Sequence, residues 1–254
     1  MSVAESKTEI FNVAPGGEGG GQSRGSYERY VQPFLAELVG SALFIFVGCA
    51  AVISDPGTTG SLQPALAHGL ALSAAVAAFG EISGGHFNPA VSVCAYLLGG
   101  MELALLAPYV LAQMIGGMIG AGLAKGVFPE QLFNQTGGAA FKLSDTATLG
   151  SVTVAEIIMT LSLTMVISLG AINGRTRSHL APFCIGLTVA ANILAGGSVS
   201  GACMNPARAF GPAVAAGHWT HHWVYWVGPL AGALLTVSLV RLLMGDKKTR
   251  LVFK

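Results

Sequence analysis

The chain has 254 residues, of which 52% are hydrophobic and only 10% charged, with a mean hydropathy of +0.64. Soluble domains carry about 25% charged residues, so the composition argues against a soluble enzyme and for an integral membrane protein. Thirteen basic and twelve acidic side chains leave a net charge of +1, without the basic stripe of a nucleic-acid binder or an acidic tail.

Residues 1–28 contain no continuous apolar run, which speaks against a cleavable signal peptide, and 1–29 read as a tail. The Gly-rich stretch from Ala14 to Gly25 predicts a disordered, solvated cytoplasmic tail. A bilayer core takes about 20 apolar helical residues. Six stretches meet that length: 33–53, 64–82, 103–125, 152–172, 180–196 and 223–244. Two shorter runs, Asn88–Leu98 and Asn205–Ala216, do not, and their length suits re-entrant segments. Each opens with Asn-Pro, which favours a first helical turn, and glycine follows each (Gly99-Gly100 and Gly217) as it commonly follows a helix end.

Basic residues cluster in the first tail (Lys7, Arg24, Arg29), in the fourth connection (Arg175, Arg177) and in a second tail over 246–254 (Lys247, Lys248, Arg250, Lys254). The 54–63 connection has none, so the positive-inside rule puts both termini in the cytoplasm and demands an even number of spans. The 126–151 connection is then external. Its Asn134-Gln135-Thr136 sequon makes Asn134 a glycosylation candidate.

Self-comparison is the most informative step. Ser83-Gly-Gly-His-Phe-Asn-Pro-Ala90 aligns with Ser200-Gly-Ala-Cys-Met-Asn-Pro-Ala207, five of eight residues being identical. Ala36-Glu37 in the first span matches Ala155-Glu156 in the fourth, and Gly116-x-x-x-Gly120 matches Gly228-x-x-x-Gly232. A channel domain over 30–250 therefore divides into repeats of about 30–128 and 150–245. Three spans per repeat is an odd number, so the second repeat is inverted, and the short segments meet near the midplane from opposite faces. Irregular backbone at that depth survives only where it is buried in protein or lines a water-filled path.

Asn88-Pro89-Ala90 and Asn205-Pro206-Ala207 then form the pore centre. Two half-helix N-termini, each with roughly +0.5 charge, and two fixed amides would orient passing water, break a proton wire and repel cations. Arg208, almost one turn into the second half-helix, predicts a cationic donor in the pore wall. His68, inside the second span, is a functional candidate, and Cys203 a possible pore thiol. Glu37 and Glu156 read as structural buried acids accepting from the backbone of the neighbouring re-entrant loops. His218, His221 and His222 stand among Trp219, Trp223, Tyr225 and Trp226 and read as an interfacial belt, with no metal site implied. The four cysteines (Cys49, Cys94, Cys184, Cys203) include no C-x-x-C pair and predict neither a disulfide framework nor zinc. Inverted repeats with broken helices also build secondary transporters, but those need an ion-coordinating or titratable midplane site, and asparagines stand there instead.

The doubled Asn-Pro-Ala boxes, the second extended to Arg208, resemble the aquaporin (major intrinsic protein) family over residues 30–250. Gln113-x-x-Gly116 and Tyr225-Trp-Val-Gly-Pro229 belong to the same resemblance. It implies an all-α integral membrane fold: six transmembrane helices, two re-entrant half-helices and an hourglass-shaped inverted repeat. It also implies a homotetramer in membrane lipid with one pore per subunit. Carried over by spacing, the family's selectivity filter falls on His68, Ile193, Ala202 and Arg208. This set, with Ala191-Asn-Ile-Leu-Ala-Gly-Gly197 and Gly245-Asp-Lys-Lys-Thr-Arg-Leu251, is similar to the plant tonoplast type and its animal relative. Ala209, Tyr225 and Trp226 depart from the glycerol-facilitator pattern. Ile193 offers no hydrogen bond and Ala202 is small, so ammonia and hydrogen peroxide join water as expected solutes. The resemblance implies that glycerol is excluded, and the pore centre implies that protons and ions are. Such passive flux requires no cofactor, and the plasma membrane is the expected location, with intracellular membranes the alternative that the resemblance leaves open.

Overall fold

The computed structural model describes residues 25–144 and 146–244, and among them every regular element is helical. The basic residues Lys7, Arg24, Lys247, Lys248, Arg250 and Lys254, and the 246–254 tail, lie outside the described residues. The element order is α1 (Gln32–Ile53), α2 (Leu62–Ser83), α3 (Pro89–Leu97), α4 (Leu103–Val127), α5 (Glu130–Gln135), α6 (Leu149–Ile167), α7 (Ala181–Ser200), α8 (Pro206–Ala216) and α9 (Val224–Met244). A π-helical turn at Tyr27–Val31 leads into α1, and another at Ser168–Ile172 extends α6. Among the described residues, six helices are thus long and apolar enough to cross a bilayer, starting at Tyr27, Leu62, Leu103, Leu149, Ala181 and Val224.

Two boundaries differ most from the sequence reading, the others moving by three residues or fewer. Helical order begins at Tyr27, inside the stretch assigned to the tail, where Arg29 donates twice to Glu102 at 2.7 and 2.9 Å and pins the turn to the start of α4. The fifth span runs on through Gly196-Gly197 to Ser200, because its stop comes only at Gly201, in the left-handed region at φ +82°.

Outward-facing Leu70, Leu103, Val127, Leu180 and Leu243 are exposed, which suits a lipid surround. Inside, helices approach at backbone distance. A Cβ on Gly69 of α2 would lie 2.6 Å from Gly186 O, and one on Gly186 of α7 would lie 2.2 Å from Gly69 O. That contact joins the two repeats along their shared axis. Within each repeat, α4 packs on α1 through Gly116 and Gly120, and α9 packs on α6 through Gly228 and Gly232. The half-helices cross between repeats: α8 packs on α4, and α3 on α9. Each has a cation at its outer end, Lys125 of α4 donating to Ala215 O (2.9 Å) and Arg241 of α9 to Leu97 O (2.8 Å). These cations offset the negative ends of two dipoles whose positive ends point at each other.

Candidate pore and selectivity site

The loops that lead into α3 and α8 begin from a matched local pattern. Gly84, Gly85 and Phe87 have φ of +88, +62 and +47°; Gly201, Ala202 and Met204 have +82, +50 and +56°. Glycine adopts that region freely, but Phe87, Ala202 and Met204 do so at a cost of order 1–3 kcal/mol each. The surrounding bonds over-determine the conformation. Glu37 accepts from Ser83 Oγ (2.7 Å), His86 N (2.9 Å), Phe87 N (2.7 Å) and Gln113 Nε2 (2.7 Å). Glu156 accepts from Ser200 Oγ (2.6 Å), Cys203 N (2.8 Å) and Met204 N (2.7 Å). Both carboxylates are fully buried, and the loop amides and hydroxyls supply the partners a buried charge requires.

The asparagines close the arrangement across the repeats. Asn88 Oδ1 accepts from Ala90 N (2.9 Å), while its Nδ2 donates to Met204 O (2.8 Å). Asn205 Oδ1 accepts from Ala207 N (2.9 Å) and Arg208 N (3.2 Å), while its Nδ2 donates to Phe87 O (2.8 Å). Phe87 and Met204 are therefore each gripped at the N–H by their own repeat's glutamate and at the C=O by the other repeat's asparagine, while Ala202 N donates to Ser200 Oγ (3.1 Å) and its carbonyl accepts from Arg208. One of the two N–H bonds on each amide is spent in this way, leaving one to point elsewhere. Pro89 and Pro206 follow the asparagines at the first helical position, and Ala90 and Ala207 are fully buried behind them.

Two cavities meet here. The inner one, about 20 Å³, has room for roughly one water and is bordered by Asn88, Asn205, Cys203 and Arg208. Apolar Phe44, Leu72, Val76, Ile185 and Val189 complete its wall. The outer one, about 210 Å³, is bordered by His68, Ile193, Phe141, Lys142 and Arg208. Arg208 borders both and so marks the constriction between them. His68, Ile193 and Arg208 are thus brought together; Ala202 is fully buried and contributes its carbonyl to Arg208 Nη1. Cys203 O accepts from the same nitrogen at 2.9 Å. His68 Nδ1 lies 2.7 Å from Pro64 O; a carbonyl only accepts, so Nδ1 carries the proton and Nε2 is left as an acceptor. The imidazole lies on Gly48, where a Cβ would come 2.2 Å from Nε2.

Cys203 is 1% exposed and donates Sγ–H to Asn205 O (3.0 Å), so the thiol borders the inner cavity as a partnered group. Asn134 is exposed on α5, a short helix inside the 126–151 connection. His222 packs against Phe210, Trp219 and Tyr225, and no cluster of three metal-ligating side chains occurs among the described residues.

Sequence reasoning missed Phe141, whose ring lies 4.8 Å from the Arg208 guanidinium carbon and 5.0 Å from the Tyr225 ring. An aromatic in a 26-residue connection carries no positional signal, since only the return of that connection over the mouth brings it to Arg208. Gly48 and the serine pair Ser83 and Ser200 were missed as well. The serines were visible as repeated letters, and their role follows once Glu37 and Glu156 are placed.

The major intrinsic protein family model matches residues 26–240. Aquaporin-8 of Mus musculus is 56% identical over 229 residues, covering 90% of this chain and 88% of that protein. Aquaporin-8 of Rattus norvegicus is 52% identical over 255 residues, covering all of this chain and 95% of that one. Aquaporin TIP1-2 of Musa acuminata is 39% identical over 229 residues, covering 85% and 88%. Among solved structures, the aquaglyceroporin from Plasmodium falciparum superposes with a TM-score of 0.72 at 23% identity, covering 83% of this chain and 95% of that one, which establishes the fold. With this fold, these boxes and these relatives, the chain belongs to the major intrinsic protein family, as an aquaporin-type multi-pass membrane channel.

Proposed function

We propose that the chain conducts water and small neutral solutes, ammonia and hydrogen peroxide among them, and excludes protons, ions and glycerol. The observation that carries this reading is the crossed pair of asparagines. Each keeps a free N–H beside a cavity sized for about one water, at the positive end of a half-helix. A water that gives its oxygen to those amides turns its hydrogens away from the neighbouring waters, and a cation meets the same positive field. His68 as acceptor and Arg208 as donor border the same cavity as apolar Ile193, a filter that binds small polar molecules without demanding a hydroxyl-rich solute.

The test is stopped-flow flux through purified protein in liposomes, comparing water, ammonia, hydrogen peroxide and glycerol in one preparation. Fast flux of the first three, with glycerol at the empty-liposome rate, is the expected result. Flux of water alone would remove ammonia and peroxide from the reading. Saturating, gradient-coupled uptake would replace the channel with a transporter.

The same reading places the protein in the plasma membrane as a homotetramer with both termini cytoplasmic, and Asn134 as a glycan site on the external face. Glycosidase treatment of protein from a eukaryotic host is expected to raise the mobility of wild type and leave Asn134→Gln unchanged.

A further inference from the structure

The outer cavity holds a second cation that the filter does not use. Lys142 borders it together with Arg208, and no carboxylate is among its lining residues. The lysine stands over the 3₁₀ turn Gly137–Ala139, where Gly137 (φ +62°) leaves the space it occupies: a Cβ there would lie 2.9 Å from Nζ. Its ammonium makes no hydrogen bond or ion pair among the described residues. Arg208 is only 6% exposed, its Nε is buried, and its two bonds to carbonyls both come from Nη1, which leaves Nη2 without a hydrogen bond among the described residues. Glu156, the acid whose charge acts on Arg208, is fully buried and spends its oxygens on Ser200, Cys203 and Met204. Lys142 is exposed, so the cavity-facing side of the two cations carries no anion. A guanidinium edge and an ammonium are a good match for an oxyanion, the first by planar donor geometry and the second as a point charge.

We propose that this vestibule binds a small monovalent oxyanion, of the nitrate or formate type, between Lys142 and Arg208. The anion sits at the mouth and does not permeate, because the next space inward holds about one water between largely apolar walls. Occupancy therefore obstructs solute flux. That consequence rests on the pore reading; the binding itself does not.

The experiment compares nitrate with gluconate at equal ionic strength and osmolarity, for wild type, Lys142→Gln and Lys142→Arg. Water flux in liposomes is read with the salt on both sides, each protein normalised to its own gluconate value. The thermal unfolding midpoint is read in the same salts. Nitrate at about 100 mM, where charges act over about 10 Å, is expected to lower wild-type flux at least twofold and to raise the midpoint relative to Lys142→Gln. The glutamine variant is expected to need about fivefold more nitrate for the same effect, and the arginine variant to behave like wild type. Equal flux and equal midpoints in the two salts, or nitrate responses that ignore Lys142→Gln, would overturn the proposal. If wild type conducts no water in any salt, the pore reading fails and the midpoints still decide the anion site.

Discussion

The two re-entrant loops share one backbone and differ in what stands beside it. In the first repeat, Gln113 donates to both Glu37 and Ser92 Oγ, and Ser92 in turn meets His86 Nδ1 at 3.1 Å, a polar network without a cation. In the second repeat, the residues 117 positions on from Val91 and Ser92 are Arg208 and Ala209, and the polar network is replaced by one cation tied to loop carbonyls. Val91 borders the inner cavity where Arg208 borders both. The lesson is that symmetry holds the asparagines at the centre, and a single departure from it gives one side a charge that the other lacks.

The largest expected effect comes from removing a symmetric element. Glu37→Gln and Glu156→Gln each turn an amide NH₂ toward backbone donors and should destabilise by at least ~3 kcal/mol, since hydrogen bonds to a charged acceptor contribute about 1.5–3 kcal/mol each. Detergent-solubilised protein should show this as a lowered midpoint or loss of monodisperse material, more severe for Glu37 with its four donors. Equal tolerance of both changes would mean the loops are held elsewhere.

Arg208→Val copies the first repeat onto the second. Proton and ammonium leak in liposomes should rise about tenfold, a loss of roughly 1.4 kcal/mol of barrier, while water flux persists. An unchanged leak would place the cation barrier wholly on the asparagines and the half-helix dipoles.

A smaller pair sharpens the match between halves. Tyr109 Oη donates to Ser83 O (2.7 Å) and Tyr225 Oη to Ser200 O (3.0 Å), although the two tyrosines come from different turns of α4 and α9 relative to Gly116 and Gly228. Each Tyr→Phe change should cost about 1 kcal/mol by thermal or denaturant titration. A large asymmetry would show that Phe141, packed at a tilt against Tyr225, carries part of the second loop's support.

The smallest effect lies in the connections. Between α1 and α2, Asp55 accepts from Thr58 N (2.6 Å), Thr59 N and the Thr59 hydroxyl, which holds its carboxyl below the usual aspartate range. The matching connection between α6 and α7 is turned by the uncharged Asn173, whose Oδ1 accepts from Arg175 N (3.0 Å). A lowered pKa means the stabilisation is present above the ordinary value near 4 and is lost as pH falls through the depressed one. Acid should therefore speed amide exchange in 54–61 and spare 173–180. Asp55→Asn should abolish the difference.

Much of the architecture was legible because it is written as periodicity and repetition: span lengths, the two short runs, the doubled boxes and the glutamate pair. The roles of Glu37 and Glu156 followed from one constraint, that a charge inside a bilayer needs several donors nearby. Phe141, Lys125, Arg241 and Gly48 were not legible. Each matters through a partner more than 15 residues away that no spacing rule connects to it, such as Lys125 to Ala215 or Gly48 to His68. The asparagines were placed correctly at two helix starts, but their exchange of hydrogen bonds with the opposite loop depends on how closely the two ends meet, which no single repeat encodes.

That exchange has a meaning for synthesis. Asn88 waits for the carbonyl of Met204, 116 residues further along, and Phe87 waits for the amide of Asn205. At about 5–20 residues per second, a ribosome takes roughly 6–23 s to supply the missing partners. During that interval the first three spans sit in the membrane around a loop with an unpaired amide and a strained phenylalanine. A chain cut off between its two halves therefore presents a polar defect at the bilayer centre, a mark by which quality control can recognise an unfinished molecule.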